Sequence, residues 1–346
     1  MKLLAALLLL ASSAFAQPAK SMLYLRNNQR GIDSFLAHRR QIDILVPTWY
    51  QVDADGHVTG APNPTILSAA RQSHIAVVPI VALFNKDAAH HLLTTPAAED
   101  SFANGLLVLC REHHYTGIQL DIENILATDR DPFTAMVRKL SEALHREHFE
   151  LQIAVVPPAP GQPGETAFGR WIWEEWRGVF DLKAIAPFVD AIGLMTYDQH
   201  TRYTMPGPVA GWNWTRQNLD YALAQGVPRN KLYLGIALYG YHWFTGDPMF
   251  DHKEPHPNLT ADYISWRDSM QLLHTYAPGR LPQWDADEHT EWFYFYRDQM
   301  REYIFLTGRR TFADRYRLAQ QEHLAGFCSW VLGEEDPAIW QLLPKH

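Results

Sequence analysis

Three polar side chains interrupt an otherwise apolar run in YTGIQLDIENI, residues 115–125, where Gln119, Asp121 and Glu123 alternate with Ile118, Leu120 and Ile122. Successive side chains of a β-strand point to opposite faces, so these three share one face, spaced roughly 7 Å per two residues. Two carboxylates this close push their proton affinities apart, leaving Asp121 ionised while Glu123 keeps a proton to donate. That pair suits general-acid attack on a poor leaving group such as a glycosidic oxygen. Spacing of i, i+2 on one strand is too close to flank a sugar from opposite faces, so the ordinary two-carboxylate glycosidase scheme fits badly. A mechanism in which the substrate supplies its own nucleophile fits better.

Charges on a buried strand face are costly unless paired or used, so the surrounding elements decide what these acids are for. The segments SMLYLRN, IDILVPTWYQV, IAVVPIVALF, YTGIQLDIENI, LQIAVVPPA, AIGLMTYDQH, KLYLGIALYG and GFCSWVLG read as strands, with helix-like stretches between them. One helix opens on Asn63 and Pro64, another has Asp131 as N-cap with Pro132 at its first position, and a third ends on Gly226. Eight strand–helix pairs with mostly continuous apolar strands predict an α/β fold, a (β/α)8 TIM barrel. No GxGxxG follows the first strand, which disfavours an open dinucleotide-binding sheet. In the barrel Gln119, Asp121 and Glu123 line the interior, with Glu123 nearest the C-terminal mouth where barrel enzymes react. The opposite phase would turn the acids against the helices, which is worse.

Long connections follow strands five, six and seven and carry Trp171, Trp173, Trp212, Trp214, Trp243 and Trp284. Long loops in a compact domain usually carry function. The last span, about 241–310, is too long for bare loop and reads as a small β-containing insertion between strand 7 and helix 7.

The 346-residue chain is 47% hydrophobic and 20% charged, ordinary for a soluble globular protein. Residues 1–16, with Lys2, a short apolar core and Ala14-Phe15-Ala16, read as a secretory signal peptide cleaved after Ala16. The expected mature domain is 17–346, secreted or periplasmic. The apolar run is too short to span a bilayer. A net charge of −8 gives no general attraction for nucleic acid or anionic membrane. Cys110 and Cys328 fall on elements placed far apart, so no disulfide is expected. Twelve tryptophans and fifteen tyrosines are the telling excess, because flat aromatic faces suit sugar rings. Seventeen histidines offer no HExxH or comparable metal spacing. No metal or cofactor is expected.

Four segments in order resemble glycoside hydrolase family 18, the chitinase-like barrels. TGIQLDIE (116–123) lines up with the family's fourth-strand DGxDxDxE, and MTYD (195–198) with its sixth-strand MxYD. LGIALYGY (234–241) is similar to its seventh-strand pattern, and GFCSWVLGEEDPAIW (326–340) to its eighth-strand segment with a floor tryptophan. MTYDQH followed by PGPVAG, and ENI after the acid, most resemble the branch of N-acetylglucosaminidases that lyse peptidoglycan and spore cortex.

The resemblance implies that Glu123 protonates the leaving oxygen and later activates water. Asp121 would hold the N–H of the substrate's 2-acetamido group, and Tyr197 its carbonyl. Asp198 would bind sugar hydroxyls, and Trp330 would floor the subsite under the distorted ring. Gln119, Tyr239, Trp49, Trp212 and Trp284 complete the expected substrate-binding set. Two positions depart from the family: Thr116 and Gln119 stand where it has aspartates. Gln119 keeps the ability to donate a hydrogen bond to Asp121 but cannot relay a proton. Thr116 is expected at the strand entrance.

The expected partner is an N-acetylglucosamine polymer, chitin-like or peptidoglycan, bound by a monomer with no nucleic acid and, after leader cleavage, no membrane. The alternative is a lectin-like barrel that binds such glycans without cleaving them, against which Glu123, Asp121 and Tyr197 are all present. A metal-dependent barrel hydrolase would need His and Asp ligands ending several strands, and His200 alone is not a site.

Overall fold

The computed structural model describes residues 19–244 and 261–346. The expected leader and part of the 241–310 span lie outside the described residues.

In chain order the strands are β1 (Lys20–Leu25), β2 (Ile44–Pro47), β3 (Tyr50–Val52), β4 (Val58–Gly60), β5 (Ala76–Val77), β6 (Ile80–Leu83), β7 (Gly117–Ile122), β8 (Glu150–Val155), β9 (Ala191–Leu194), β10 (Leu232–Ala237), β11 (Tyr239–Trp243), β12 (Ala261–Ser265), β13 (Gln283–Asp285), β14 (Thr290–Arg297), β15 (Met300–Leu306) and β16 (Gly326–Trp330). Two barrel strands are split near prolines, which cannot donate to a ladder. β2 stops at Pro47 and the chain resumes as β3; β5 stops before Pro79 and resumes as β6. β2 pairs with β1 and β5, while β3 pairs with β6. From there β6, β7, β8, β9, β10, β16 and β1 follow in parallel register, which closes the ring. Counted this way the barrel has eight strands, a (β/α)8 TIM barrel with its helices outside.

The parity question raised by β7 is answered by the packing. Met22, Tyr24, Ile44, Val46, Val78, Ile80, Ala82, Ala191, Tyr233 and Cys328 form one buried cluster, the barrel lumen. Leu23, Leu25, Leu45, Val81, Ile118, Leu120 and Ile122 belong to the larger cluster under the helices. Each such aliphatic side chain stabilises the fold by about 1.5–3 kcal/mol on burial. Ile118, Leu120 and Ile122 therefore claim the outer face, and Gln119, Asp121 and Glu123 are left facing in. Cys110 and Cys328 are free and buried.

Local signals set most helix starts. Asn63 accepts from the Thr65 and Ile66 amides at the head of helix Pro64–Gln72. Helix Arg130–His145 departs from expectation: its N-cap is Asp129, because a short 3-10 turn, Ala127–Asp129, runs straight into it. Asp131 lies in the first turn, where a negative charge complements the helix dipole. No helix among the described residues is long and apolar enough to cross a membrane.

Between β10 and the helix Arg309–Gln321, strands β11 to β15 form a second, antiparallel sheet in the order β12-β11-β15-β14-β13. Helix Trp266–Tyr276 covers one face through Leu273, against Ile264, Phe293, Phe295, Ile304 and Leu306. β11 follows β10 after one residue, so this sheet stands directly on the barrel rim.

Gly235 on β10 shows how tightly that rim is packed. A Cβ there would lie 2.4 Å from the Leu194 carbonyl oxygen and 2.5 Å from the Thr196 amide. The Thr196 hydroxyl also donates to the Gly235 carbonyl at 2.7 Å. Gly235→Ala is expected to cost about 1–3 kcal/mol, as overpacking does. Because the displaced backbone leads into Tyr197 and Asp198, turnover is expected to fall in the fraction that folds. Urea unfolding and kcat on the same preparations check both effects.

Candidate active site

The site forms where β7, β9, β10 and β16 reach the C-terminal mouth. Asp121, on β7, is 7% exposed, and its Oδ1 is buried with no hydrogen-bond partner among the described residues. Burial pushes its carboxyl up to about 7. Glu123, just past the strand end, is pushed up to about 8, first by burial and then by the charge of Asp121. Repulsion is mutual, so the pair holds one proton between them near neutral pH.

The Glu123 carboxylate is held from across the mouth. Trp176 Nε1 donates to its Oε2 at 2.7 Å. Trp176 belongs to a single π-helical turn, Trp173–Arg177, in the long connection after β8.

Asp198 lies beyond β9 with φ of 60°, a left-handed turn that aims its carboxylate back at the rim. It accepts from Tyr239 Oη at 2.5 Å. Burial raises its carboxyl, and hydrogen bonds from Tyr239 and Tyr241 pull it down. Tyr197 is 8% exposed, with its ring edge-on to Tyr239 at 6.3 Å. Burial holds its phenol well above the ordinary value, and the charges of Asp121 and Asp198 act the same way. It remains a neutral hydroxyl, able to donate.

A cavity of about 360 Å³ opens beside Asp121, lined by Trp330, Trp49, Arg26, Tyr50 and Phe84 among others. Trp330 ends β16 with its ring 5.5 Å from Tyr24, so the lumen packing fixes the indole plane at the cavity. Asp121, Trp330 and Trp49 thus share one concavity.

Other expected site residues are placed elsewhere. Gln119 is fully buried one layer below Asp121, and its Nε2 donates to Gln152 Oε1 at 3.3 Å. The expected hydrogen bond to Asp121 is not made, because β7 and β8 pair Gln119 directly with Gln152. The Gln119 side chain is a plug of the lumen and no part of the cavity wall. Thr116 precedes β7, as its position at the strand entrance predicts. Tyr239 is buried and holds Asp198.

Trp212 and Trp284 are brought together, but around His289 and not at this cavity. Trp212 starts helix Trp212–Ala224 and stacks on His289 at 4.4 Å. Trp284 lies 5.8 Å from the same imidazole and carries the Arg310 guanidinium 3.8 Å over its ring. Buried Arg315 donates to the carbonyls of His289 and Thr311, which locks this cluster to the last barrel helix. One face of each ring is taken, that of Trp212 by His289 and that of Trp284 by the Arg310 guanidinium.

Four contributors were missed by sequence reasoning. Tyr24 was findable, since it shares the inward parity of Met22 on β1. Tyr241 follows Tyr239 by two on β11 and reaches the same carboxylate. Arg26, 5.9 Å above the Trp330 ring, and Trp176 come from loop ends without periodicity, where no pattern announces direction.

The family model described as glycosyl hydrolases family 18 matches residues 36–335. The chain is 22% identical over 330 residues to the uncharacterized glycosylase YvbX of Bacillus subtilis, covering 93% of this chain and 90% of that protein. It is 23% identical over 300 residues to the cortical fragment-lytic enzyme of the same organism, covering 85% of this chain and 65% of that protein. Among solved structures, a chitinase from Chromobacterium violaceum superposes with a TM-score of 0.80 at 25% identity, covering 93% of this chain and 97% of that one. The spore cortex-lytic enzyme SleL of Bacillus megaterium superposes with a TM-score of 0.79 at 21% identity, covering 94% of this chain and 73% of that one.

Proposed function

Since the chain belongs to glycosyl hydrolase family 18, with cortex-lytic enzymes and chitinases among its relatives, we propose that this glycosidase cleaves β-1,4-linked, N-acetylglucosamine-containing glycans with retention of configuration. The nucleophile is the substrate's own 2-acetamido oxygen. The observation that carries this reading is the unpartnered, buried Asp121 Oδ1 beside the cavity, two residues along the strand from Glu123, whose carboxyl burial raises. A buried acceptor without a donor needs an explanation, and an amide N–H on a sugar seated over Trp330 supplies one.

The steps follow from the groups present. Glu123 gives its proton to the glycosidic oxygen as the bond from that oxygen to the anomeric carbon breaks. The acetamide oxygen closes onto the anomeric carbon, forming an oxazolinium ion whose N–H points at the Asp121 carboxylate. Tyr197 donates to the acetamide oxygen and orients it. Asp198, held by Tyr239 and Tyr241, binds sugar hydroxyls. Glu123, now ionised, takes a proton from water. That water adds to the anomeric carbon from the face the leaving group vacated as the bond from the acetamide oxygen to that carbon breaks and restores the acetamide, so configuration is retained.

The leader-like residues 1–16 support export, which would place the enzyme where such polymers lie, acting as a monomer. Mass spectrometry of products from purified peptidoglycan and from chitin tests the substrate class. Fragments ending in reducing N-acetylglucosamine are expected from at least one polymer. Tight binding to both without any product would favour the lectin-like reading instead.

A further inference from the structure

Resting on that reading, we propose that Trp176 is a positioning residue for the general acid: its indole N–H holds Glu123 Oε2 and so confines the transferable proton to Oε1. An indole nitrogen can only donate, and the carboxyl oxygen that receives a hydrogen bond from it at 2.7 Å accepts. A protonated carboxyl carries its O–H on one oxygen only. With Oε2 occupied as acceptor, the acidic hydrogen belongs on Oε1, free of the indole and available to the leaving group. Without Trp176 the carboxyl can rotate and protonate on either oxygen, and only one arrangement is productive.

The strap that delivers Trp176 is fastened on both flanks. Glu175 pairs with Lys86, at the head of the helix Lys86–Thr94 that follows β6. Arg130 donates to the Gly178 carbonyl at 2.7 Å and lies 5.7 Å over the Trp173 ring. Thr166 caps the short helix Ala167–Ile172 that leads in. Neighbours on both sides therefore fix the indole relative to β7, so the hydrogen bond is preorganised.

The groups that act on Glu123 are Asp121 on its own strand, Asp198 beyond β9 and Trp176 on the strap. The two carboxylates favour the protonated form and the indole N–H favours the ionised one. Removing the N–H alone therefore moves the alkaline limb of the pH–rate profile upward. A group that merely packed would leave that limb in place.

Trp176→Phe, which keeps an aromatic ring and loses the donor, tests the proposal on a soluble N-acetylglucosamine oligomer. The expected result is a roughly tenfold fall in kcat with KM changed less than threefold, and an alkaline limb displaced upward. An unchanged kcat and pH profile in a folded variant would overturn the role of Trp176. Loss confined to KM would overturn it as well. A second measurement needs no variant of Trp176. In ¹⁵N-labelled wild type, one indole N–H resonance should move with pH in step with Glu123 and stand still in Glu123→Gln. No such resonance would again overturn the proposal. If Glu123→Gln retains full turnover, it is the proposed function that fails, whatever Trp176 does.

Discussion

Glu123→Gln is expected to lower kcat on N-acetylglucosamine oligomers about 10³-fold or more, while the oligomers still bind. General acids contribute about 10²–10⁴-fold, and this one protonates a leaving group that cannot depart as an alkoxide at neutral pH. The glutamine still accepts the Trp176 hydrogen bond at its carbonyl oxygen, so the side chain stays in place and the loss reports the missing proton. Single-turnover kinetics with a binding isotherm separate the two. Full turnover would remove Glu123 from the mechanism.

The same substitution is expected to stabilise the fold. Burial raises both carboxyls above their unfolded values of about 3.9 and 4.3. A group raised on folding supports the native state most fully below its unfolded value, and that support is lost as pH rises through the folded value. At pH 7 and above the pair therefore weighs against folding, increasingly so as its second proton leaves. Replacing Glu123 with a neutral amide relieves this by about 0.5–2 kcal/mol, within the range found for stabilising substitutions. Thermal unfolding should show the gap between variant and wild type widening from pH 5 to pH 9.

Asp121→Asn is the second large effect expected. Oδ1 still accepts a hydrogen bond, but the negative charge that steadies the oxazolinium ion is gone, and kcat should fall about 10²–10³-fold. Its pH signature is opposite to that of Trp176→Phe. Without the neighbouring charge Glu123 gives up its proton more readily, so the alkaline limb moves down. A pH–rate profile for the residual activity reads this directly. An unmoved limb would mean that the two carboxylates do not share a proton.

What the sequence made legible was governed by periodicity. Alternation put Asp121 and Glu123 on one face of β7, and the cost of setting charges against the helices, since parity itself could be reversed, chose the barrel interior for them. Asn63 and Pro64 announced their helix because cap chemistry is local. The N-cap at Asp129 was hidden, since a 3-10 turn extended the helix past the obvious Asp131-Pro132 signal. Trp212 and Trp284 were expected in the substrate-binding set, but their placement around His289 depends on Arg310, Arg315 and Asp314, which lie outside the loops that carry them. Gln119 was read as a partner of Asp121, but strand register hands it to Gln152. Trp176 shows the limit most plainly. It sits in a π-helical turn of a long connection, and pairings with distant elements, Glu175 with Lys86 and Arg130 with the Gly178 carbonyl, bring its indole to Glu123.

The central claim is that the acetamide oxygen attacks the anomeric carbon while Asp121 holds its N–H. The most direct measurement is kcat/KM on a matched set of oligomers whose cleaved sugar carries an acetyl, monofluoroacetyl, difluoroacetyl or trifluoroacetyl group on its nitrogen. Each fluorine draws electron density from the carbonyl oxygen and weakens it as a nucleophile. The account predicts that kcat/KM falls with every fluorine, leaving the trifluoroacetyl oligomer nearly inert. A rate independent of fluorine content would contradict it.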